Sequence, residues 1–169
     1  MFAKPAAAGG PPPGSERRPR ASVRIGLFHA TLPKAGRKTG GVEAMVHRLA
    51  DQLVARGHDI SVLSFTAPPP GASYRHRRLG PAWVARSTPA RMFLVPLLLN
   101  RLEVDGVDVL HLHGDDWFYV RRRVPTVRTL HGSALSEARH STRWLRRARQ
   151  LFTYPLEALS SRLATERTG

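Results

Sequence analysis

An α/β fold with a doubly wound, mostly parallel sheet is predicted by three features of this sequence. Short apolar segments recur along the chain and alternate with longer stretches of helical periodicity. The first of them leads through a glycine-bearing loop and an amphipathic helix to a second strand, all within about 40 residues, which is a βαβ unit and requires parallel pairing. The segment Val107–His113 has the composition of a strand covered on both faces.

Met1–Ser22 is rich in Pro, Gly and Ala with scattered arginines. It has almost nothing to bury and is expected to be a disordered leader before a domain spanning 23–169. Val23–Ala30 reads as the first strand, and the loop Thr31–Thr39 runs into Gly40-Gly41. Val42, Met45, Val46, Leu49, Ala50, Leu53 and Val54 then recur at helical spacing, with Gly57 placed to end the helix. Ile60–Phe65 is the next strand, Pro68–Gly71 a loop, and Tyr74–Leu79 a short edge strand. Pro89–Leu102 predicts a mostly buried helix bent at Pro96. After the strand at 107–113, Asp116–Arg122 suggests one or two helical turns, and Pro125–Leu130 another strand. From Ser136 to about Thr165 the pattern is helical, interrupted near Pro155.

Composition narrows the function classes. The 169 residues suffice for one domain with a real core. Without cysteine there is no disulfide, thiolate metal site or thiol nucleophile. The longest apolar run, Met92–Leu99, is broken by Pro96 and falls far short of the ~20 residues of a membrane span. Residues 1–22 do not have the apolar centre of a secretory signal. The net charge of +15, from 27 basic and 12 acidic residues, has two readings. One is the codon bias of a GC-rich genome. The other is an anionic partner: membrane phosphates, a phosphorylated substrate or nucleic acid.

In an open parallel sheet ligands sit beyond the carboxyl ends of the strands, and the distinctive residues fall there. Gly40-Gly41 opens the first helix, where unpaired N–H groups and the helix dipole favour an anion, with Arg37 and Lys38 just before. A flexible turn is the competing explanation. His29 stands near the end of the first strand. His111-Leu112-His113 places two imidazoles on one face of a strand, followed by Asp115 and Asp116. No third metal ligand can be fixed, so no metal site is expected. Thr129-Leu130-His131-Gly132-Ser133 ends another strand in a histidine and small residues, suited to donating a hydrogen bond to a hydroxyl or phosphate. No nucleophile-elbow pattern surrounds Ser133.

Taken in order, Gly40-Gly41-Val42-Glu43, the helix ending Ala55-Arg56-Gly57-His58, Asp108–Gly114 and Thr129–Gly132 resemble family 4 glycosyltransferases, over about Val23–Leu135. The resemblance implies one half of a GT-B fold: two Rossmann-like domains facing across a cleft, the amino-terminal one receiving the acceptor. The other half binds a nucleotide diphosphate sugar, the co-substrate, and transfer retains the anomeric configuration with neither metal nor cofactor. By this analogy His131 and His113 are the catalytic candidates, and Gly40 and Gly41 contact the donor diphosphate. His29, Asp115, Asp116 and Ser133 are candidate contacts to acceptor or sugar. The acceptor is a glycan or lipid-linked glycan and the setting cytoplasmic, at the inner face of the membrane. Many relatives have aspartate where this chain has Gly132. Since the sequence ends at Gly169 without a donor-binding half, the chain alone is expected to have little activity and to need a carboxy-terminal partner.

One feature stands outside that pattern. Nine arginines lie between Arg121 and Arg149 against one acid, Glu137, while Trp144, Leu145, Ala148, Leu151 and Phe152 share a helical face. The plainest expectation is an apolar face packed on the sheet and arginines in solvent. A helix on an anionic membrane, or a contact with another domain, fits the same pattern. A non-enzymatic basic module for membrane or nucleic acid is the main rival to a transferase. No nucleic-acid motif supports specific binding of that kind. A nucleotide-sugar epimerase is a further alternative, which the Gly-Gly-Val-Glu helix entrance suits less well.

Overall fold

The computed structural model describes residues 21–34, 36, 39–104, 106–132 and 139–168. Residues 1–20 of the leader and the segment 133–138, which includes Ser133, lie outside the described residues. Six strands form one sheet: β1 (Arg24–Phe28), β2 (Asp59–Ser64), β3 (Arg75–Arg78), β4 (Val109–Leu112), β5 (Thr126–Thr129) and β6 (Glu166–Thr168). Their spatial order is β3-β2-β1-β4-β5-β6, and every neighbouring pair is parallel. The chain winds outward from β1 to one edge, then returns to start β4 on its other side. Such a reversal opens a crevice at the carboxyl ends of the two central strands.

The sheet is covered on both faces, and β1 shows why. Consecutive side chains of a strand point to opposite faces. Leu27 joins a core with Val46, Ala50, Ile60 and Val62, whereas Phe28 joins Leu63, Val95, Leu99, Leu110 and Leu112. Gly26 lies where a Cβ would come to 3.0 Å from the Leu110 side chain and 3.3 Å from Val107, so the close approach of β1 and β4 excludes a larger residue.

The first core is closed by α1 (Gly41–Ala55), which buries Val46 and Ala50. It stops where expected. Gly57 takes φ +88°, a left-handed conformation that favours glycine. Its N–H donates to Val54 O at 2.8 Å and His58 N–H donates to Leu53 O at 3.1 Å, the paired bonds of a Schellman cap.

Several expectations need correction. A short helix, α2 (Trp83–Arg86), precedes the segment read as one buried helix over 89–102. That segment is a π-helical turn, Ala90–Leu94, followed by α3 (Val95–Arg101). Pro96 lies in the first turn of α3, directly after the π-helical turn, whose last bond runs from Val95 N–H to Ala90 O, so the irregularity falls just before the residue that has no N–H to give. Only Val95, Pro96 and Leu99 of α3 are buried, and Phe93 is 61% exposed, because one stripe alone meets the sheet. At 116–122 there are two local backbone bonds, Tyr119 N–H to Asp116 O and Arg122 N–H to Val120 O, and no helix. Asn100 replaces the helical ladder here: its Oδ1 accepts from the N–H groups of Val120 and Arg121, and its Nδ2 donates to Phe118 O. Finally, β6 adds a polar strand too short to show in the sequence pattern.

The last helix, α4 (Trp144–Leu163), departs furthest from expectation. It runs through Pro155 without a break. Pro155 lies on the outer face, so the carbonyl it leaves unpaired turns toward water. The apolar face does not pack on the sheet: Trp144 is 75% exposed and Phe152 60%. The buried residues of α4 are Thr153, Ser160 and Ser161. Thr153 Oγ1 donates to Gln150 O within the helix, whereas Ser160 and Ser161 meet a polar anchor. Asp116, fully buried, accepts from Arg128 Nε at 3.0 Å and from Ser160 Oγ at 2.6 Å, while Arg122 Nη2 lies 3.7 Å away. Arg128 Nη1 donates to Ser161 Oγ at 2.8 Å and to Glu157 O at 3.3 Å. Arg122 and Arg128 are therefore buried, not solvated.

Removing one member of a buried ion pair typically costs about 3–5 kcal/mol, since its partner stays in the interior uncompensated. Asp116→Ala should lose stability in that range, read from urea unfolding of the variant against the parent.

Candidate active site at the carboxyl ends of the strands

Parallel pairing brings three histidines into one place. Phe28 of β1 stands beside Leu112 of β4, and Leu112 beside Arg128 of β5. The residues just beyond these ends are His29 and His113, and His131 follows β5 two residues after Thr129. The backbone fixes the first pair, since His113 N–H donates to Phe28 O at 3.0 Å. The side chains fix the second: His113 Nδ1 and His131 Nε2 are 2.9 Å apart, their rings stacked at 5.2 Å. His111 lies behind, its ring 4.1 Å from that of His113 and its Nε2 2.7 Å from Thr129 Oγ1.

A cavity of about 230 Å³ opens at this rim, lined among others by His29, Val42, Arg91, His113, Asp115 and His131. A second, of about 190 Å³, continues from it along Arg91, Asp115 and Trp117 toward Thr88 and Thr153. Val42 brings the first turn of α1 to the cavity. Gly40 N–H donates to Glu43 Oε2 at 3.2 Å, and Glu43 Oε1 accepts from Thr31 Oγ1. Neither Gly40 nor Gly41 has a left-handed φ, and a Cβ at Gly41 would meet nothing within 4 Å. The fold itself does not require glycine there.

The candidate residues separate on this geometry. His29, His113, His131 and Asp115 share the cavity, whereas of the first turn of α1 it is Val42 that lines it, and Gly40 and Gly41 precede that residue without lining it. Asp116 does not face it. The carboxylate is enclosed behind the rim, with both oxygens used by Arg128 and Ser160, so it is a structural anchor and no ligand contact. Ser133 lies outside the described residues. Gly132 takes φ +144°, which an aspartate could not adopt without strain.

Arg91 is the residue that sequence reading passed over. Its Nε and Nη2 both donate to Asp115 Oδ2, at 2.9 and 2.7 Å. Asp115 has φ +58°, tolerated better by Asp than by most residues and held here by that ion pair. The signal was present: an arginine beginning an otherwise apolar run, Met92–Leu99, is out of place in a buried helix.

Desolvation decides the charge of the cluster. Burial, reinforced by the neighbouring His111, His131 and His29, pushes the His113 pKa down to about 2. His29 and His111 are also lowered, chiefly by burial. His131 is exposed as a residue, but its ring, stacked on His113, is desolvated enough to be lowered too. The neutral tautomers follow from the partners. His29 Nδ1–H donates to Thr31 O at 2.6 Å, which leaves Nε2 an acceptor. His113 Nε2 is buried without a partner. A bare ring nitrogen is cheaper to bury than an orphaned N–H. His113 therefore carries its proton on Nδ1 and donates to His131 Nε2, placing the His131 proton on Nδ1.

Among the described residues no group of three His, Cys, Asp or Glu side chains is arranged to hold a metal ion. Nor is any helix long and apolar enough to cross a membrane.

A six-stranded parallel sheet whose winding reverses beside a polar cavity at the strand ends defines a Rossmann-like α/β domain. The model of the family Glycosyltransferase Family 4 matches residues 39–165, and the chain belongs to that family. No curated protein matches the chain at a significant level.

The histidine pKa shifts carry a stability consequence. A histidine whose pKa is lowered on folding binds its proton in the unfolded chain first, so stability is full above pH 6.5 and falls as the pH drops below it. His113 alone should contribute a slope approaching about 1.4 kcal/mol per pH unit. Urea unfolding between pH 6.5 and about 5, above the main carboxylate range, should show this slope, and His113→Gln should make it shallower.

Proposed function

We propose that this chain is the acceptor-side domain of a retaining, nucleotide-diphosphate-sugar-dependent glycosyltransferase of the GT-B type. In this reading transfer requires a donor-binding half, which faces the histidine rim. The observation that carries it is the convergence of His29, His113, His131 and the first turn of α1 on one cavity at the strand ends. Family membership supports a transferase with a sugar donor and an acceptor.

Each group then has a role its chemistry suits. The first-turn N–H groups of α1 receive the donor diphosphate, helped by the helix dipole. Gly40 and Gly41 leave that approach open where a side chain would obstruct it. Glu43 now holds Gly40 N–H and withdraws when the anion arrives. His131, neutral and oriented by His113, donates from Nδ1 to a hydroxyl of the transferred sugar or to an oxygen of the departing phosphate. A neutral donor that gains strength as negative charge develops on the leaving oxygen stabilises the transition state more than the ground state.

The acceptor, a glycan or lipid-linked glycan, occupies the second cavity. Trp117 there offers an apolar face to a sugar ring, and Arg91 and Asp115 offer hydrogen bonds to its hydroxyls. The setting is the cytoplasm, where nucleotide sugars serve as donors.

The test is complementation. The chain is incubated with a panel of nucleotide sugars and acceptors, alone and with a family 4 donor-binding half supplied as a second polypeptide. Transfer with retained anomeric configuration, appearing only in the combined reaction, is the expected result. In it His131→Ala should lower kcat by about 10²–10³ with little change in KM. Turnover by the chain alone, or none with the supplied half across the panel, overturns the reading.

A further inference from the structure

The outer face of α4 is the largest feature that the transfer chemistry leaves unused. Viewed down the helix, Trp144, Leu145, Ala148, Leu151, Phe152, Pro155 and Leu159 fall in one arc about 120° wide, at the α-helical rotation of about 100° per residue. The arc is opposite Thr153, Ser160 and Ser161, the residues that face the sheet. Leu145 is 65% exposed and Leu151 48%, so this arc is open surface along the helix. Soluble chains seldom leave so continuous an apolar strip uncovered without a partner for it.

The charge around the strip identifies the partner. Arg143 and Arg147, four residues apart, run along one flank, and both are exposed. Arg139 stands before the helix, also exposed, and no Asp or Glu occurs from 139 to 156. An open groove of about 970 Å³, lined by residues 140–146, lies at the amino-terminal end of the strip. A second copy of this chain meeting the strip would bring the same arginines and no Asp or Glu from 139 to 156 to answer them. A surface that is apolar below and anionic above satisfies both features: acyl chains receive Trp144, Leu151 and Phe152, and lipid phosphates receive the guanidinium groups.

We propose that α4 docks the protein on an anionic lipid bilayer, its apolar arc at the level of the upper acyl chains and Arg143 and Arg147 among the headgroups. The inference stands apart from the transfer chemistry, since it uses none of the residues at the histidine rim.

Co-sedimentation of the full chain with vesicles tests it, comparing phosphatidylcholine alone with phosphatidylcholine in which a third of the lipid is phosphatidylglycerol. Binding should be at least about tenfold tighter to the anionic vesicles, since each arginine near such a surface contributes about fivefold. Arg143→Gln with Arg147→Gln should weaken it about 20-fold or more. Trp144→Ser with Phe152→Ser should weaken it comparably, and both pairs lie at exposed positions where circular dichroism should confirm an unchanged fold. Arg56→Gln, which removes one charge at the far end of α1, should have little effect. Three outcomes overturn the proposal. The first is equal binding to both vesicles, or none. The second is loss with Arg56→Gln like that with Arg143→Gln alone, or no loss with the aromatic pair, either of which reduces the effect to diffuse charge attraction. The third is a dimer in sedimentation velocity that the aromatic pair dissolves while vesicle binding stays unchanged, which assigns the strip to a second copy.

Discussion

The buried carboxylate of Asp116 holds the second half of this molecule in place. It lies just after β4, takes its main ion pair from Arg128 on β5 and binds Ser160 on α4, so three elements meet on one side chain. A charged group in the interior is tolerated only when its desolvation is offset by several good hydrogen bonds. Asp116 has them, but it is one anion between two buried guanidinium groups. The surplus positive charge of Arg122 is eased in other ways. Its Nη2 reaches the carbonyl of Ser160, one of the last four of α4, where the helix dipole favours a cation. Its guanidinium also sits 5.3 Å from the centre of the Tyr119 ring. Even so, its Nε and Nη1 have no partner, and burial lowers its pKa. An interface of this kind is specific more than strong. It admits one register of α4 on the sheet, and with that register it fixes the ends of β4 and β5 that carry His113 and His131.

The same ends explain why the histidines are neutral. Three imidazoles at one crevice, with His111 behind them, would repel one another if charged, and the crevice is partly closed to water. Desolvation lowers all four, and for His111, His113 and His131 the neighbouring imidazoles act in the same direction, while at His29 burial outweighs the opposing pull of Thr31 O and Asp115. A cluster of this sort is a poor general acid but a good set of fixed dipoles. It presents donors and acceptors whose orientation is decided by the fold and not by pH over the physiological range. In the function proposed above, the diphosphate of a sugar donor is left to the backbone N–H groups of α1, which cannot titrate at all.

How far the sequence disclosed this depends on the interaction concerned. Strand and helix positions around β1, α1 and β2 were legible because Val42, Met45, Val46, Leu49, Ala50 and Leu53 follow one period, and Gly57 marks the end by a conformation few other residues adopt. The strand tips were legible as well, since a parallel sheet places the residues after each strand on a common edge, and His29, His113 and His131 are all such residues. Where long-range partners decide, local pattern failed. Asn100 occupies the backbone groups of 118–121 from 20 residues away, and nothing within 116–122 announces that a helix is forestalled. Asp116 looked like a ligand contact because it adjoins Asp115. Only the burial of Arg128, two pairings across the sheet from β1, reveals it as an anchor. Arg91 was hidden by its neighbours, an apolar run that drew the reading toward a buried helix.

The inversion of α4 follows from that anchor. Hydrophobic periodicity locates the apolar side of a helix, and the usual step is to set that side inward. The step assumes that the only apolar environment on offer is the protein's own core. Here the sheet face beneath α4 is already committed to Arg128, Arg122 and Asp116, so the matching face of the helix must bring hydroxyls and carbonyls. Ser160, Ser161 and the carbonyl of Glu157 do so. With a polar face turned inward, the arc bearing Trp144, Leu151 and Phe152 has nowhere to go but out. A buried ion cluster between strand and helix thus sets two things at once: the position of the histidine rim and the direction in which the apolar strip looks.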